Sequence, residues 1–504
     1  MVATLEPSTG NSGPWPDHQG EQPSSRIERT AHRCSLHRFV KGLLPAVFDF
    51  SCSQESQNRL IDRYGPRLVA CPDMSMCHHI GKPMAVGQLG GTGRGVHHDR
   101  DTCELIGVDQ PHDQGLEINV HLHRHNLARM RSVSAMPELT ERDPDHLSTV
   151  FSAWLAGRLG PDADPSIVGI TAPGSNGFSN ETILMTARWS EDGEVADHKL
   201  VVRVHPTKHT LFLEADFSLQ YKVLSNLQGI AGVPVPNLRW YEEDPAVLGV
   251  PFFVMDHVEG RIPADNLPYT MEGWLLESTP EQQETLWWSG IEALAAIHTL
   301  DWRALGFEFL ADPTHGEPGL EKNMTYYRRF LDWAAGGRPQ PTAEAVWEWL
   351  VANKPAERGP VVLSWGDSRI GNIIWDDDYQ AAAVIDWEMA ALGQPELDLG
   401  WWLYFDRQFS EGLGIPRPVG FPSHEDTVAR YEELIGREVG DLLWYQIFAG
   451  WRFAVIMCRL CDLLQGSDLL PGDSDMGTNN LATQFMAQLL GLPSPAEAGS
   501  DTST

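Results

Sequence analysis

The chain has 504 residues, with 37 basic and 69 acidic side chains giving a formal net charge of −32 at pH 7, and 42% of its residues are apolar, 18 Trp among them. Such acidity argues against a surface that neutralises a nucleic-acid backbone, and no run of about 18 apolar residues is present to form a membrane-spanning helix. Seven Cys at irregular spacing give no disulfide framework, and the first residues lack the basic-then-apolar order of a signal peptide, so a reducing cytoplasm is expected.

Residues 1–135 differ from the rest. They hold 14 acidic and 14 basic side chains, so all of the net charge lies downstream, and they contain a single Trp, Trp15. With few large apolar anchors this stretch is expected to be a low-order extension rather than a packed domain. Cys71, Cys77, His78, His79, His97, His98 and Cys103 are zinc-type donors, but their spacing fits no standard finger. Met130 and Met136 stand at the end of this stretch as alternative starts.

From residue 136 the pattern becomes regular. Apolar residues at helical spacing predict a helix over Asp143–Leu159. Strand-like runs follow at Ile167–Thr171, Thr182–Ala187, Lys199–Val204 and Phe252–Met255, with a helix predicted over Glu214–Leu227. Beyond Val258 the periodicity is mainly helical. Thr279-Pro280-Glu281-Gln282 has a capping Thr, Pro at the first helical position and Gln three residues after the cap, and opens a helix through Trp287, Ile291, Leu294 and Ile297. The expectation is an α+β architecture: a small β-rich lobe over 136–257, a larger helical lobe over 258–492, and a tail at 493–504.

Within the helical part, the apolar run Val361–Ser364 leads to Asp367. Asn372 follows five residues later, then the apolar run Ile373–Trp375, a turn at Asp376–Asp378, and the run Ala382–Ile385 leading to Asp386. Phosphoryl transfer needs a carboxylate near the acceptor hydroxyl and oxygen donors for the magnesium that bridges the phosphates. Asp367 can be the base, and a hairpin between Asn372 and Asp386 brings two metal ligands together. A plain hairpin with Asp at its turns is the simpler alternative. It leaves Gly366, Gly371 and the order Asp-x4-Asn without a reason.

Trp365-Gly366-Asp367-Ser368-Arg369-Ile370-Gly371-Asn372, Ile385-Asp386-Trp387-Glu388 and the run Ala391–Trp401 resemble the aminoglycoside phosphotransferase and choline kinase superfamily, which shares the protein-kinase fold. The likeness spans about Ser166 to Leu490 and is similar to the branch linked to acyl-CoA dehydrogenases. It implies an ATP- and Mg²⁺-dependent transfer to a hydroxyl of a small molecule, either aminoglycoside-like or hydroxyacyl-type. Glu425–Ile435 and Leu442–Leu463 are then expected to build the acceptor pocket, and Asp398 to be an anchor rather than a reactant. The family's His before Gly-Asp is Trp365 here, expected to be a packing substitute.

On the nucleotide side, Gly174, Ser175, Asn176, Gly177 and Phe178 occupy the place of a phosphate-covering glycine-rich loop. Arg203 stands where kinases present a Lys, and can grip phosphate bidentately. Its partner on the next helix is either Glu214 or Gln220. Main-chain groups from Asp256 to Val258 would meet the adenine. His298 is expected to pack, Cys458 and Cys461 to be core thiols, and Glu388 either to support the site or to touch metal or substrate. The departures at Trp365, Arg203 and Gln220 keep a second reading open, a nucleotide-binding pseudokinase acting as scaffold or regulator. The sequence says nothing of oligomeric state.

Overall fold

The structure is a computed structural model, and it describes residues 142–171, 180–206, 210–265, 267–356, 359–467 and 469–500. The extension 1–135 with its zinc-type donors, Met130, Met136 and the loop Gly174–Phe178 lie outside the described residues. Compactness divides the chain into 1–106 and 107–504, and everything described falls in the second unit.

The small lobe is a five-stranded antiparallel sheet in the order β1-β2-β3-β5-β4, formed by β1 (Ser166–Thr171), β2 (Glu181–Glu191), β3 (Glu194–Val204), β4 (Leu238–Glu242) and β5 (Phe252–Asp256). Strand side chains alternate between faces. Ile183, Met185, Leu200, Val202, Phe252 and Val254 therefore share one face, which helix α1 (Pro144–Leu159) covers with Leu147, Phe151, Trp154 and Leu155. Asp143 caps α1 by accepting from the Asp145 N–H. Phe253, pointing the other way, joins the large core together with Val223, Leu224 and Leu227 of α2 (Ser218–Leu227).

Two expectations need correction here. The strand β4 was not foreseen. The helix α2 begins at Ser218 rather than Glu214, because the Asp216 carboxylate takes the Ser218 N–H at 2.9 Å and its hydroxyl at 2.6 Å, a local turn that competes with helix.

The large lobe is helical, as expected: α3 (Pro280–His298), α4 (Leu320–Ala335), α5 (Pro341–Ala352), α6 (Glu396–Gln408), α7 (His424–Ile435), α8 (Leu442–Gly466) and α9 (Leu481–Leu490) are its main helices. The cap on α3 is a full capping box between Thr279 and Gln282. Four short strands sit among these helices. β6 (Val362–Ser364) pairs with β9 (Ala391–Gly393), and β7 (Ile373–Trp375) pairs with β8 (Ala381–Val384), so the predicted hairpin is present.

The chain passes between the lobes at residues 257–260. Gly260 has φ +152°, and a Cβ there would lie 2.6 Å from both the Ile374 side chain and the Trp375 carbonyl. Beyond it, Arg261 and Trp375 exchange two main-chain hydrogen bonds of 2.8 and 2.9 Å. The linker is thereby stitched to the strand that follows Asn372.

Candidate active site

The segment from Ser364 to Asn372 is held from beneath by one carboxylate. Asp398, fully buried on the first turn of α6, accepts from Ser364 Oγ at 2.8 Å, from the Trp365 N–H at 2.7 Å, from the Gly366 N–H at 2.9 Å and from His298 Nε2 at 2.9 Å. Burial alone would push this carboxyl up, but His298, Ser364 and Gly366 hold it below its ordinary value. His298 in turn touches the Tyr431 hydroxyl with Nδ1. The His expected only to pack is thus part of the anchor, and Asp398 is placed as an anchor should be.

Gly366 is where the glycine matters. Its φ is +94°, and a Cβ would meet the Met389 carbonyl at 2.2 Å. Gly371 is similar for a different reason: a Cβ would fall 2.7 Å from the Asp265 carboxylate. These close approaches explain two glycines that a simple hairpin did not.

Four tryptophans fasten the site by donating indole N–H groups. Trp365 donates to the Ile385 carbonyl at 2.9 Å, Trp375 to the Ile370 carbonyl at 3.1 Å, and Trp387 to the Val384 carbonyl at 3.1 Å. Trp401 donates to Asp367 Oδ1 at 2.8 Å. Trp365 therefore both packs, at 1% exposure, and ties the loop of Asp367 to the residue before Asp386. A ring N–H is all this contact asks for, and indole supplies one as imidazole would.

The Asp367 side chain is 16% exposed. Arg369 Nε also donates to Oδ1, at 2.9 Å, so two donors converge on that oxygen. Burial, with Asp386 nearby, pushes the Asp367 carboxyl up to about 7, while Asn372, Trp401 and Arg452 pull the other way. Arg369 also pairs with Asp265. Its guanidinium is lowered by burial to about 10, against the pull of Asp386 and Glu388, and it stays charged at neutral pH.

Asn372 and Asp386 come together through the hairpin. The Asn372 amide nitrogen donates to the Asp367 carbonyl at 3.0 Å, which leaves its oxygen for another partner, and its carbonyl accepts from the Ile385 N–H at 3.0 Å. Asp386 sits in the left-handed region at φ +62°, and its Oδ1 is buried with no hydrogen-bond partner among the described residues. A buried bare carboxylate oxygen is costly. With the Asn372 amide at the same end of the hairpin, it suits a hard cation such as Mg²⁺. No group of three His, Cys, Asp or Glu forms a metal cluster among the described residues, so one carboxylate and one amide would leave the other positions to phosphate oxygens and water.

The small-lobe side is looser. Arg203, on β3, donates through Nη1 to Thr182 Oγ1 at 2.8 Å, while its Nε is buried without a partner among the described residues. Neither expected partner meets it as an acid. Glu214 pairs with Arg329 at 3.2 Å, and Gln220, buried on α2, donates to Glu388 Oε2 at 3.4 Å. Asn180 donates to the same oxygen at 3.2 Å. Glu388 therefore takes two amides from across the cleft. At the linker, the N–H groups of Asp256 and His257 are taken by the Asn237 and Lys199 carbonyls, at 2.8 and 3.0 Å. The Asp256 side chain pairs with Arg239 at 2.6 Å. Recognition by the main chain would therefore fall to Val258 and to the Asp256 carbonyl.

A cavity of 210 Å³ opens between the lobes, with Gln220, Lys322, Tyr326, Tyr327, Glu388 and Met389 in its walls. Helix α4 borders this cavity; Asp367, Asn372 and Asp386 do not, nor do the helices α7 and α8 expected to build the acceptor pocket. Asp265 and Arg452 carried no sequence signal pointing to the site, since each reaches it only through packing of distant segments; Arg369 and Trp401 lay inside the quoted motifs, but their contacts with Asp367 Oδ1 were not read from them. Cys458 and Cys461 are buried thiols in α8, as expected.

Residues 171–421 match the family described as Phosphotransferase enzyme family, APH. Acyl-CoA dehydrogenase family member 11 from Gallus gallus is 34% identical over 173 residues, which are 34% of this chain and 21% of that protein. The Homo sapiens protein of the same name is 29% identical over 234 residues, 43% of this chain and 28% of that one. The chain thus matches between a fifth and a third of the length of these relatives. Among solved structures, the macrolide 2'-phosphotransferase MphH from Brachybacterium faecium aligns at 18% identity over 64% of this chain and 98% of its own, with a TM-score of 0.40.

Proposed function

We propose, from the premise that the chain carries a domain of the phosphotransferase enzyme family at residues 171–421, that it moves the γ-phosphoryl group of ATP to a hydroxyl of a small molecule. The observation that carries this reading is the pairing of Asp367, whose Oδ1 is held by Trp401 and Arg369, with Asp386, whose buried Oδ1 has no partner among the described residues beside Asn372.

In this reading Asp367 Oδ2 orients the acceptor hydroxyl and takes its proton as the acceptor oxygen bonds to the γ-phosphorus and the bond to the ADP oxygen breaks. Asn372 and Asp386 would hold Mg²⁺, which supplies charge neutralisation on the phosphates when bound. Arg203 offers its Nε and remaining N–H groups to phosphate. Gly174, Ser175, Asn176, Gly177 and Phe178 cover the phosphates, and the main chain of Asp256 and Val258 reads the adenine. The acceptor enters through the cavity walled by Tyr326 and Tyr327, and it is aminoglycoside-like or hydroxyacyl-type. The second of these is favoured by relatives that are named as acyl-CoA dehydrogenases. A cytoplasmic setting supplies ATP and keeps the buried thiols reduced.

The second reading, a nucleotide-binding pseudokinase, has one observation behind it: Gln220 offers Arg203 no acid. An ATP-consumption screen over hydroxylated metabolites and antibiotics, run beside Asp367→Ala, separates the two. The kinase reading expects one acceptor class to be phosphorylated and the variant to lose turnover. Nucleotide binding with no turnover on any acceptor would favour the pseudokinase, and full activity in Asp367→Ala would overturn the base.

A further inference from the structure

Arg452 lies midway along α8 in an otherwise apolar stretch and is 2% exposed. Burying a guanidinium is costly unless a carboxylate pairs with it, and among the described residues none forms an ion pair with this one. Its Nε is buried without a hydrogen-bond partner among the described residues. What it does touch converges on one place. Nη2 donates to the Gly366 carbonyl at 3.2 Å. The guanidinium carbon lies 4.3 Å from the Trp401 ring centroid, and the Trp401 indole N–H is the donor that reaches Asp367 Oδ1. Tyr327, a wall of the cavity, is the next ring, at 5.3 Å.

We infer that Arg452 is a positioning residue for Asp367, fixing the peptide that precedes it through Gly366 and the indole that holds its carboxylate through Trp401. The Gly366 peptide is already confined by its positive φ, and the Met389 carbonyl lies where a Cβ would stand. A charged hydrogen bond to its oxygen sets the rotation of the plane whose N–H belongs to Asp367. The planar guanidinium stacks on Trp401 and fixes its tilt, which an aliphatic chain of equal length would leave free to rock. A role confined to filling the helix core would be met equally well by Met.

This inference concerns the geometry of Asp367, and it rests on the phosphotransferase reading only for its effect on turnover. The test compares Arg452→Met and Arg452→Lys in the full chain by amide hydrogen exchange, alongside Asp367→Asn. In Arg452→Met, exchange at Trp365, Gly366 and Asp367 should quicken by about tenfold or more while the amides of α8 stay protected, and Arg452→Lys should restore part of the protection. Should Arg452→Met not fold, Arg452→Lys alone should quicken the same amides by about threefold without loosening α8. Where an acceptor is phosphorylated, both variants should lower kcat with the KM for ATP unchanged. Unchanged exchange at these amides, or a loosening shared equally with α8, would overturn the inference. If the chain phosphorylates nothing, the exchange result still stands by itself, and Asp367→Asn, which leaves Arg452 in place, should exchange as the native chain does.

Discussion

Asp398, under the large-lobe side of the cleft, accepts four hydrogen bonds in complete burial, whereas Arg203, across the cleft, makes one and keeps Nε bare. On the first side the loop bearing Asp367 is fixed by an anchor, by four indole donors and by Arg452. On the second, two amides reach across to a single oxygen of Glu388, and the Arg203 Nε has no partner among the described residues. Preorganised groups lower the cost of reaching a transition state, while groups left unsatisfied gain most from a charged ligand. The contrast places the work of geometry on the large lobe and the work of binding on the small one.

The largest expected effect is on the anchor. Asp398→Ala leaves four buried donors without their acceptor and should destabilise the chain by about 4 kcal/mol in denaturant titration. A loss under about 1 kcal/mol would break the contrast. Next is Asp367→Asn, which keeps shape and removes the base. Turnover should fall by about a thousandfold. Its stability should move the other way. The folded carboxyl is raised from 3.8 to about 7, so between these values the unfolded chain has released a proton that the folded chain still holds. Stability therefore falls as pH rises through this window. Measured free of nucleotide and metal, Asp367→Asn should exceed the native chain by up to about 4 kcal/mol at pH 8, and the gap should close below about pH 4.

Arg203→Met sharpens the contrast from the other side. Its affinity for ATP, read by calorimetry, should weaken by about tenfold to thirtyfold, with thermal stability unchanged. A matching loss of stability would mean that Arg203 is a structural residue. The smallest effect belongs to the cross-cleft amide. Gln220→Glu sets two carboxylates against each other at Glu388 and should lower the melting midpoint by about 3 °C. Gln220→Glu with Glu388→Gln should restore it, and failure of that rescue would separate the two residues.

Asp367, Asn372 and Asp386 were legible in the sequence because strand ends and a short hairpin fix them locally. The lobe order was legible for a similar reason, since periodicity changes from two to nearly four along the chain. Arg452 and Asp265 were not, because their meaning depends on helices and linkers far apart in sequence coming into contact; Trp401 lay in a quoted run, but its reach to Asp367 did not show there. His298 shows the limit from inside: its apolar helix correctly signalled burial, but its partner, Asp398, is 100 residues away. The start of α2 was misplaced by a side chain, Asp216, whose local hydrogen bonds outbid the helical pattern.

The stitch between Arg261 and Trp375 has a mechanical consequence. Because the chain is pinned to the large lobe directly after Gly260, and the His257 N–H is still held by the Lys199 carbonyl of β3, the pivot between them is only residues 258–260 among the described residues. So short a pivot permits the small lobe to tilt but hardly to slide. It also lies against the strand that leaves Asn372, close to the axis of any such tilt. Opening and closing would therefore swing Arg203 through an arc while Asn372 and Asp386 stay nearly still.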